Sequence, residues 1–253
     1  MRFILFLITY ITFTTFCFAQ DDFLAKQYFA DGDFEKAVVF YEKLVEKNPR
    51  RTEYVQDLVA CYQQLEAYQK AESFLNARLN DRNPYPTLLI DLGYNYALQE
   101  QQDLAQKNYD KALAIIDKNP NYGYALGLQF QKYNLLDMAI KAFQKSMELN
   151  PALNFNFQLA RIYGEQGNVE AMYNSYLNLV IDGKTSKSNI LRSIDDFVSE
   201  EPENQNNILL KKVLLERAQK NPDILWNELL SWLFEKQNQY GSAFRQEKAI
   251  FKR

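Results

Sequence analysis

Residues 32–49 read GDFEKAVVFYEKLVEKNP, and the reading of this stretch decides the fold. Ala37, Val38, Tyr41, Leu44 and Val45 fall at i, i+1, i+4, i+7 and i+8, the spacing of one packed face of an α-helix. The helix must stop at Asn48, because the proline that follows disfavours helical geometry at the residue before it and cannot continue the ladder. Asn-Pro recurs at 83–84, 119–120, 150–151 and 221–222, so the prolines of these pairs stand 35, 36, 31 and 71 residues apart. The last interval is close to two periods. All seven prolines are expected in loops or at helix starts.

A true repeat keeps its side chains in register inside each unit, and this one does. Tyr28, Tyr62, Tyr96, Phe130 and Tyr163 are separated by 34, 34, 34 and 33 residues, and Ala37, Ala71, Ala105 and Ala139 by 34 each time. The small residues let two helices approach closely, and the aromatic residues are expected to fill the space between one hairpin and the next.

With these residues in place the sequence resembles the tetratricopeptide repeat family, whose pattern is Leu-Gly-x2-Tyr, then Ala-x3-Phe, then Pro, over about 34 residues. The third unit carries Leu92-Gly93-x2-Tyr96 and Ala105-x3-Tyr109; the fourth carries Leu126-Gly127-x2-Phe130, Ala139-x3-Phe143 and Pro151. The first has Leu24-Ala25-x2-Tyr28, Ala37-x3-Tyr41 and Pro49, while the second keeps Leu58, Tyr62, Ala71 and Pro84 but has Val59 and Leu75 at the small and aromatic places. The resemblance implies an all-α, right-handed solenoid of stacked antiparallel helix hairpins. It loosens downstream: Met172 stands where alanine is expected, and two helices, 189–199 and 206–219, flank the break EEPENQ without a clear motif. A last unit opens at Pro222, with Leu230, Phe234, Tyr240 and Ala243 roughly in place. The domain reading is a signal peptide over 1–19, an array of about five repeats over 20–183, and degenerate helical repeats over 184–253 that continue into a longer array.

The amino terminus reads as an export signal. Arg2 is followed by an apolar run from Phe3 to Phe16, and Cys17-Phe18-Ala19 places small residues at the −3 and −1 positions of a cleavage site, leaving Gln20 first in the mature chain. The run is shorter than the roughly 20 residues a spanning helix needs. A lipidated cysteine is disfavoured because Phe16, not a small residue, precedes Cys17. With the signal removed, Cys61 is the remaining thiol, expected as a small buried apolar residue rather than a reactive one.

Composition excludes several functions. Twenty-nine basic and 32 acidic residues balance to −3 without a basic block, which argues against nucleic acid. The absence of histidine removes imidazole acid/base chemistry, Ser-His-Asp and Cys-His sites and histidine zinc sites. Neither GxxxxGK[ST] nor GxGxxG occurs, and the acidic pairs 21–22, 195–196 and 200–201 read as solvated residues or helix-dipole partners. No catalysis, cofactor, metal or small-molecule substrate is expected.

The resemblance implies a concave groove lined by the first helix of each hairpin, taking an extended peptide or a helix of a protein partner. Carried over position by position, the groove residues are Gln56, Gln63, Ile90, Tyr94, Tyr124, Leu128, Gln131, Asn154, Phe157 and Arg161. Asp22 and Gln56 stand where a carboxylate clamp for chaperone tails needs Lys and Asn, so that ligand is not expected. Tyr94, Tyr124 and Phe157 suggest an aromatic strip flanked by amides. Two functions fit: an exported interaction scaffold, periplasmic or associated with the outer membrane in an envelope complex, and the docking array of a larger envelope sensor or enzyme whose active domain lies beyond residue 253.

Overall fold

The computed structural model describes residues 20–251, so the expected signal peptide lies outside the described residues. Within them every regular element is helical: α1 (20–30), α2 (Phe34–Lys47), α3 (Thr52–Gln64), α4 (Tyr68–Leu79), α5 (Leu88–Ala97), α6 (Gln102–Lys118), a 3-10 turn at Pro120–Tyr122, α7 (Gly123–Lys132), α8 (Leu136–Leu149), α9 (Asn156–Glu165), α10 (Val169–Ile181), α11 (Lys187–Asp195), α12 (Gln205–Lys220), α13 (Ile224–Lys236) and α14 (Tyr240–Ile250). Consecutive helices pack as hairpins, an all-α solenoid arrangement. The chain divides after Ser146 into two compact units.

One turn is used again and again. Gly32, Glu66, Glu100, Asn134, Gly167 and Asn238 adopt left-handed backbone with φ between 55° and 76°. The N–H of the next residue returns to the carbonyl of the motif aromatic: Asp33 to Tyr28, Ala67 to Tyr62, Gln101 to Tyr96, Leu135 to Phe130, Asn168 to Tyr163 and Gln239 to Phe234, at 2.8–3.0 Å. This is the six-to-one hydrogen bond of a Schellman C-cap, which satisfies a carbonyl that the helix end would orphan. The aromatic series therefore marks the end of each first helix as well as its packing.

The asparagines of the Asn-Pro stops have left the helical region, which a following proline disfavours. Asn48, Asn119 and Asn221 hold φ of −131°, −149° and −137°. Asn48 Nδ2 donates to the Leu44 carbonyl, and the side chains of Asn119 and Asn150 accept from the backbone two residues on, opening the next element. All seven prolines lie outside the α-helices.

In the first unit the alanine series is fully buried or nearly so, and the core includes Tyr41, Leu44, Leu58, Val59 and Leu75. A Cβ added at Gly93 would land on the Tyr109 ring, and one at Gly127 on the Phe143 ring, so the glycines make room for the aromatic of the paired helix. Two of the motif tyrosines do more than fill space: Tyr62 OH donates to Glu42 and Tyr96 OH to Glu72, each at 2.7 Å, joining successive hairpins. Cys61 is buried and free, and burial pushes its thiol up to about 12.

In the second unit the core gathers Met172, Tyr173, Leu177, Ile194, Leu214 and Leu233. Here α11 ends at Asp195, four residues before the end expected from sequence. Past the stop the chain is held by Asn207, 1% exposed: its Nδ2 donates to the Ser199 and Glu201 carbonyls at 2.8 and 2.7 Å and its Oδ1 accepts from Ser199 N, so residues 199–201 are bonded outside a helix. In the last hairpin Leu230, Phe234 and Ala243 are buried as expected, but Tyr240, the first residue of α14, is 65% exposed, with its hydroxyl donating to Asn238 Oδ1 at 2.9 Å. No helix among the described residues is long and apolar enough to cross a membrane.

Candidate functional site

In the first unit, α3, α5 and α7 are the first helices of three successive hairpins, and a row of polar side chains laces them together. Gln56 Nε2 on α3 donates to Gln129 Oε1 on α7 at 3.0 Å; Gln129 Nε2 donates in turn to Asp91 Oδ1 on α5. Tyr133 OH, at the end of α7, donates to the same Asp91 oxygen at 2.6 Å, and its ring stacks on Tyr94 with centroids 4.0 Å apart and planes 13° from parallel. Asp91 is fully buried and its Oδ2 meets no hydrogen-bond partner. Burial pushes its carboxyl up to about 6, opposed by the Tyr133 hydroxyl, the Lys132 charge and the Gln129 amide. Tyr133 is raised too, first by burial and then by the adjacent Asp91 charge.

This network redistributes the groove residues expected from sequence. Ile90 is 0% exposed and belongs to the core, and Gln63 is 6% exposed with its Nε2 buried and unpartnered, so neither presents a surface to a partner. Both lie where α5 packs against its neighbours α3 and α7, and across α5 the two flanking helices come close enough for Gln56 to meet Gln129. Gln56 is half-buried and committed to Gln129, and Tyr94 is half-buried against Tyr133. Tyr124 and Leu128 remain 45% and 40% exposed, one turn apart on α7, with Gln131 half-buried and Lys132 exposed on the following turn.

In the second unit Phe157 is 48% exposed and Arg161 exposed, one turn apart on α9. Asn154 is held locally, its Nδ2 on Asp182 Oδ2 at 2.7 Å and its Oδ1 accepting from Asn156 N. The acidic pairs are structural where they have partners: Asp21 meets Lys47, Asp22 meets Lys26, and Asp195 meets Lys236. Lys26 is shared with Glu53.

Asp91, Gln129 and Tyr133 escaped the sequence reading. A carboxylate one residue from a core isoleucine, with a tyrosine three residues on, was the available signal: polar side chains at inward positions of a first helix.

Residues 28–87 match the tetratricopeptide repeat family model. Protein O-mannosyl-transferase TMTC1 of Homo sapiens is 26% identical over 178 residues, 67% of this chain and 20% of that protein. General transcriptional corepressor trfA of Dictyostelium discoideum is 23% identical over 121 residues, 47% of this chain and 9% of that protein. The chain thus spans about a fifth or less of the length of these relatives. Among solved structures, MamA superposes with TM-score 0.33 at 18% identity, covering 81% of this chain and 94% of its own, and pilF of Pseudomonas aeruginosa with TM-score 0.36 at 17% identity, covering 84% and 96%. With the family model on residues 28–87 and the same motif aromatics, hairpins and left-handed turns recurring beyond it, the chain is a tetratricopeptide repeat protein.

Proposed function

We propose that the chain is a non-enzymatic interaction scaffold, exported to the cell envelope, that takes a peptide or helix of a protein partner on the first-helix face of its repeats. The observation that carries this reading is the exposure of Tyr124 and Leu128 on α7 beside side chains that are locked in place. Gln56, Asp91, Gln129 and Tyr133 hold three helices in fixed relation, so the apolar pair stands on a pre-organised platform and a partner loses little ordering entropy on docking. Large apolar side chains with Gln131 and Lys132 on the following turn suit a segment that is apolar on one side and anchored by hydrogen bonds at its edge. Phe157 and Arg161 on α9 offer a second apolar and cationic pair within their own unit.

Export rests on the apolar run and small-x-small site of residues 1–19, and the location proposed is periplasmic or associated with the outer membrane. The lack of histidine and the full burial of Asp91, whose carboxyl is pushed up to about 6, support a role without catalysis.

The test is a cross-linked capture from envelope extract, with the chain beside a Tyr124→Ser, Leu128→Ser variant shown by circular dichroism to be folded. A partner held by the parent and lost by the variant supports the reading; a partner held equally by both places the interface elsewhere. Mass spectrometry of the mature chain tests export in parallel, and a chain that still begins at Met1 contradicts it.

A further inference from the structure

In the second unit, α10, α12 and the start of α13 surround a cavity of about 250 Å³ lined by Asn174, Ile181, Val213, Arg217, Lys220 and Trp226, with Glu216 and Asn221 completing the rim. Most of the lining comes from the second helices α10 and α12, with Trp226 contributed by the first turn of α13.

Arg217 is its chemical centre. Its Nη2 donates to Asn174 Oδ1 and Asn178 Oδ1, both at 2.8 Å, and to the Asn174 carbonyl at 3.0 Å, while Nε reaches Asn174 Oδ1 at 3.3 Å. The two amides are turned to present oxygen: Asn174 Nδ2 donates to the Glu170 carbonyl and Asn178 Nδ2 to Asn156 Oδ1. Nη1 makes no hydrogen bond and Arg217 forms no ion pair among the described residues. A guanidinium carries five donors in a fixed fork, so one edge is committed to neutral acceptors and the other is left to the cavity. Burial pushes its pKa down, with only the Asp182 charge acting the other way.

The walls define the rest of a ligand. Val213 and Trp226 are nearly fully buried, the indole lies 5.7 Å from the guanidinium, and its Nε1 is committed to the Asn221 carbonyl, so this side offers only apolar surface. Ile181 is 54% exposed at the mouth, and Lys220 adds a second positive charge against the one carboxylate of Glu216. At roughly 30 Å³ for each water-sized group, the cavity holds about eight non-hydrogen atoms.

We propose that this cavity binds a carboxylate on a short apolar stem, with Arg217 Nη1 and Lys220 taking the carboxylate and Val213, Ile181 and Trp226 taking the stem. The same chemistry is carried by a short free carboxylic acid and by the C-terminus of a peptide ending in an apolar residue.

The test uses the mature chain in a Trp232→Phe background, which leaves Trp226 as its sole tryptophan. Its fluorescence is titrated with hexanoate and with hexanamide, and separately with acetyl-glycyl-leucine bearing a free or an amidated C-terminus. The expected result is a saturable shift with an acid and a shift at least tenfold weaker with the matching amide, as charge-assisted hydrogen bonds require. Whichever acid saturates first identifies the source. Arg217→Gln should remove the difference between acid and amide. Should that variant fail to fold, Ile181→Tyr blocks the mouth without touching the guanidinium and should weaken the acid by a similar factor. Equal responses to acid and amide, or none with either acid up to about 10 mM, overturn the proposal and leave Arg217 as a brace between α10 and α12.

Discussion

Glu66 and Glu100 occupy the left-handed turn that Gly32 and Gly167 fill elsewhere in the array, with φ of 55° and 60°. A residue with a Cβ in that region costs about 1–2 kcal/mol, whereas glycine enters it freely and gives up about 0.5–1 kcal/mol of chain entropy on folding. Neither glutamate makes a side-chain hydrogen bond or ion pair among the described residues, so nothing is lost with the side chain. Glu66→Gly and Glu100→Gly should therefore each stabilise by about 0.5–1 kcal/mol. That is a rise of roughly 2–4 °C in Tm per kcal/mol. The control is Glu216→Gly in the exposed interior of α12, the same chemical change in helical backbone, which should destabilise by about 1 kcal/mol. Gly32→Ala and Gly167→Ala should lose about 1 kcal/mol each through conformation alone, because an added Cβ meets nothing within 4 Å at either site. Urea unfolding followed by circular dichroism reads all five. If both turn variants are destabilised like Glu216→Gly, the turn account is refuted.

Other consequences follow from single side chains. The native state holds a proton on Asp91 up to about pH 6, against an ordinary value of 3.8, so the unfolded chain binds fewer protons between these values and stability falls as pH rises through that window. The fall should be of the order of 2–3 kcal/mol, measured by urea unfolding at a series of pH values, and Asp91→Asn should flatten it, leaving the smaller slope in the same direction from Asp57, which burial also raises. Gly127→Ala drives a methyl group into the Phe143 ring and should cost about 1–3 kcal/mol, with Phe143→Leu in the same chain recovering part of it. Asn207→Ala strips two carbonyls and one N–H of their partner and should cost about 2–3 kcal/mol, with amide exchange accelerated at Ser199.

The helices, hairpins and stops were legible because they depend on local rules with a fixed period. Ala37, Ala71, Ala105 and Ala139 announce close helix contacts, and the Asn-Pro pairs announce ends, whatever lies around them. The site was legible only in part. Tyr124, Leu128, Phe157 and Arg161 are exposed where the family pattern implies, but Ile90 and Gln63 are buried, and the approach of α3 to α7 across α5 that lets Gln56 meet Gln129 is not visible in the repeat pattern. That approach is set by contacts between residues more than 70 positions apart, such as Gln56 and Gln129, and no local pattern encodes it. The regular turn at Glu66 and Glu100 was hidden for a different reason: glutamate is not the residue one expects at positive φ, so the period of the turn shows only in the backbone.

The central claim is that partners dock on the α7 face, and site-specific photo-cross-linking tests it most directly. A photoreactive residue is placed at Leu128, and separately at Lys107 on the exposed side of α6, in the full chain expressed in its native cell. The account predicts a discrete cross-linked partner from Leu128 that is absent from Lys107. The same partner from both positions, or from Lys107 alone, contradicts it.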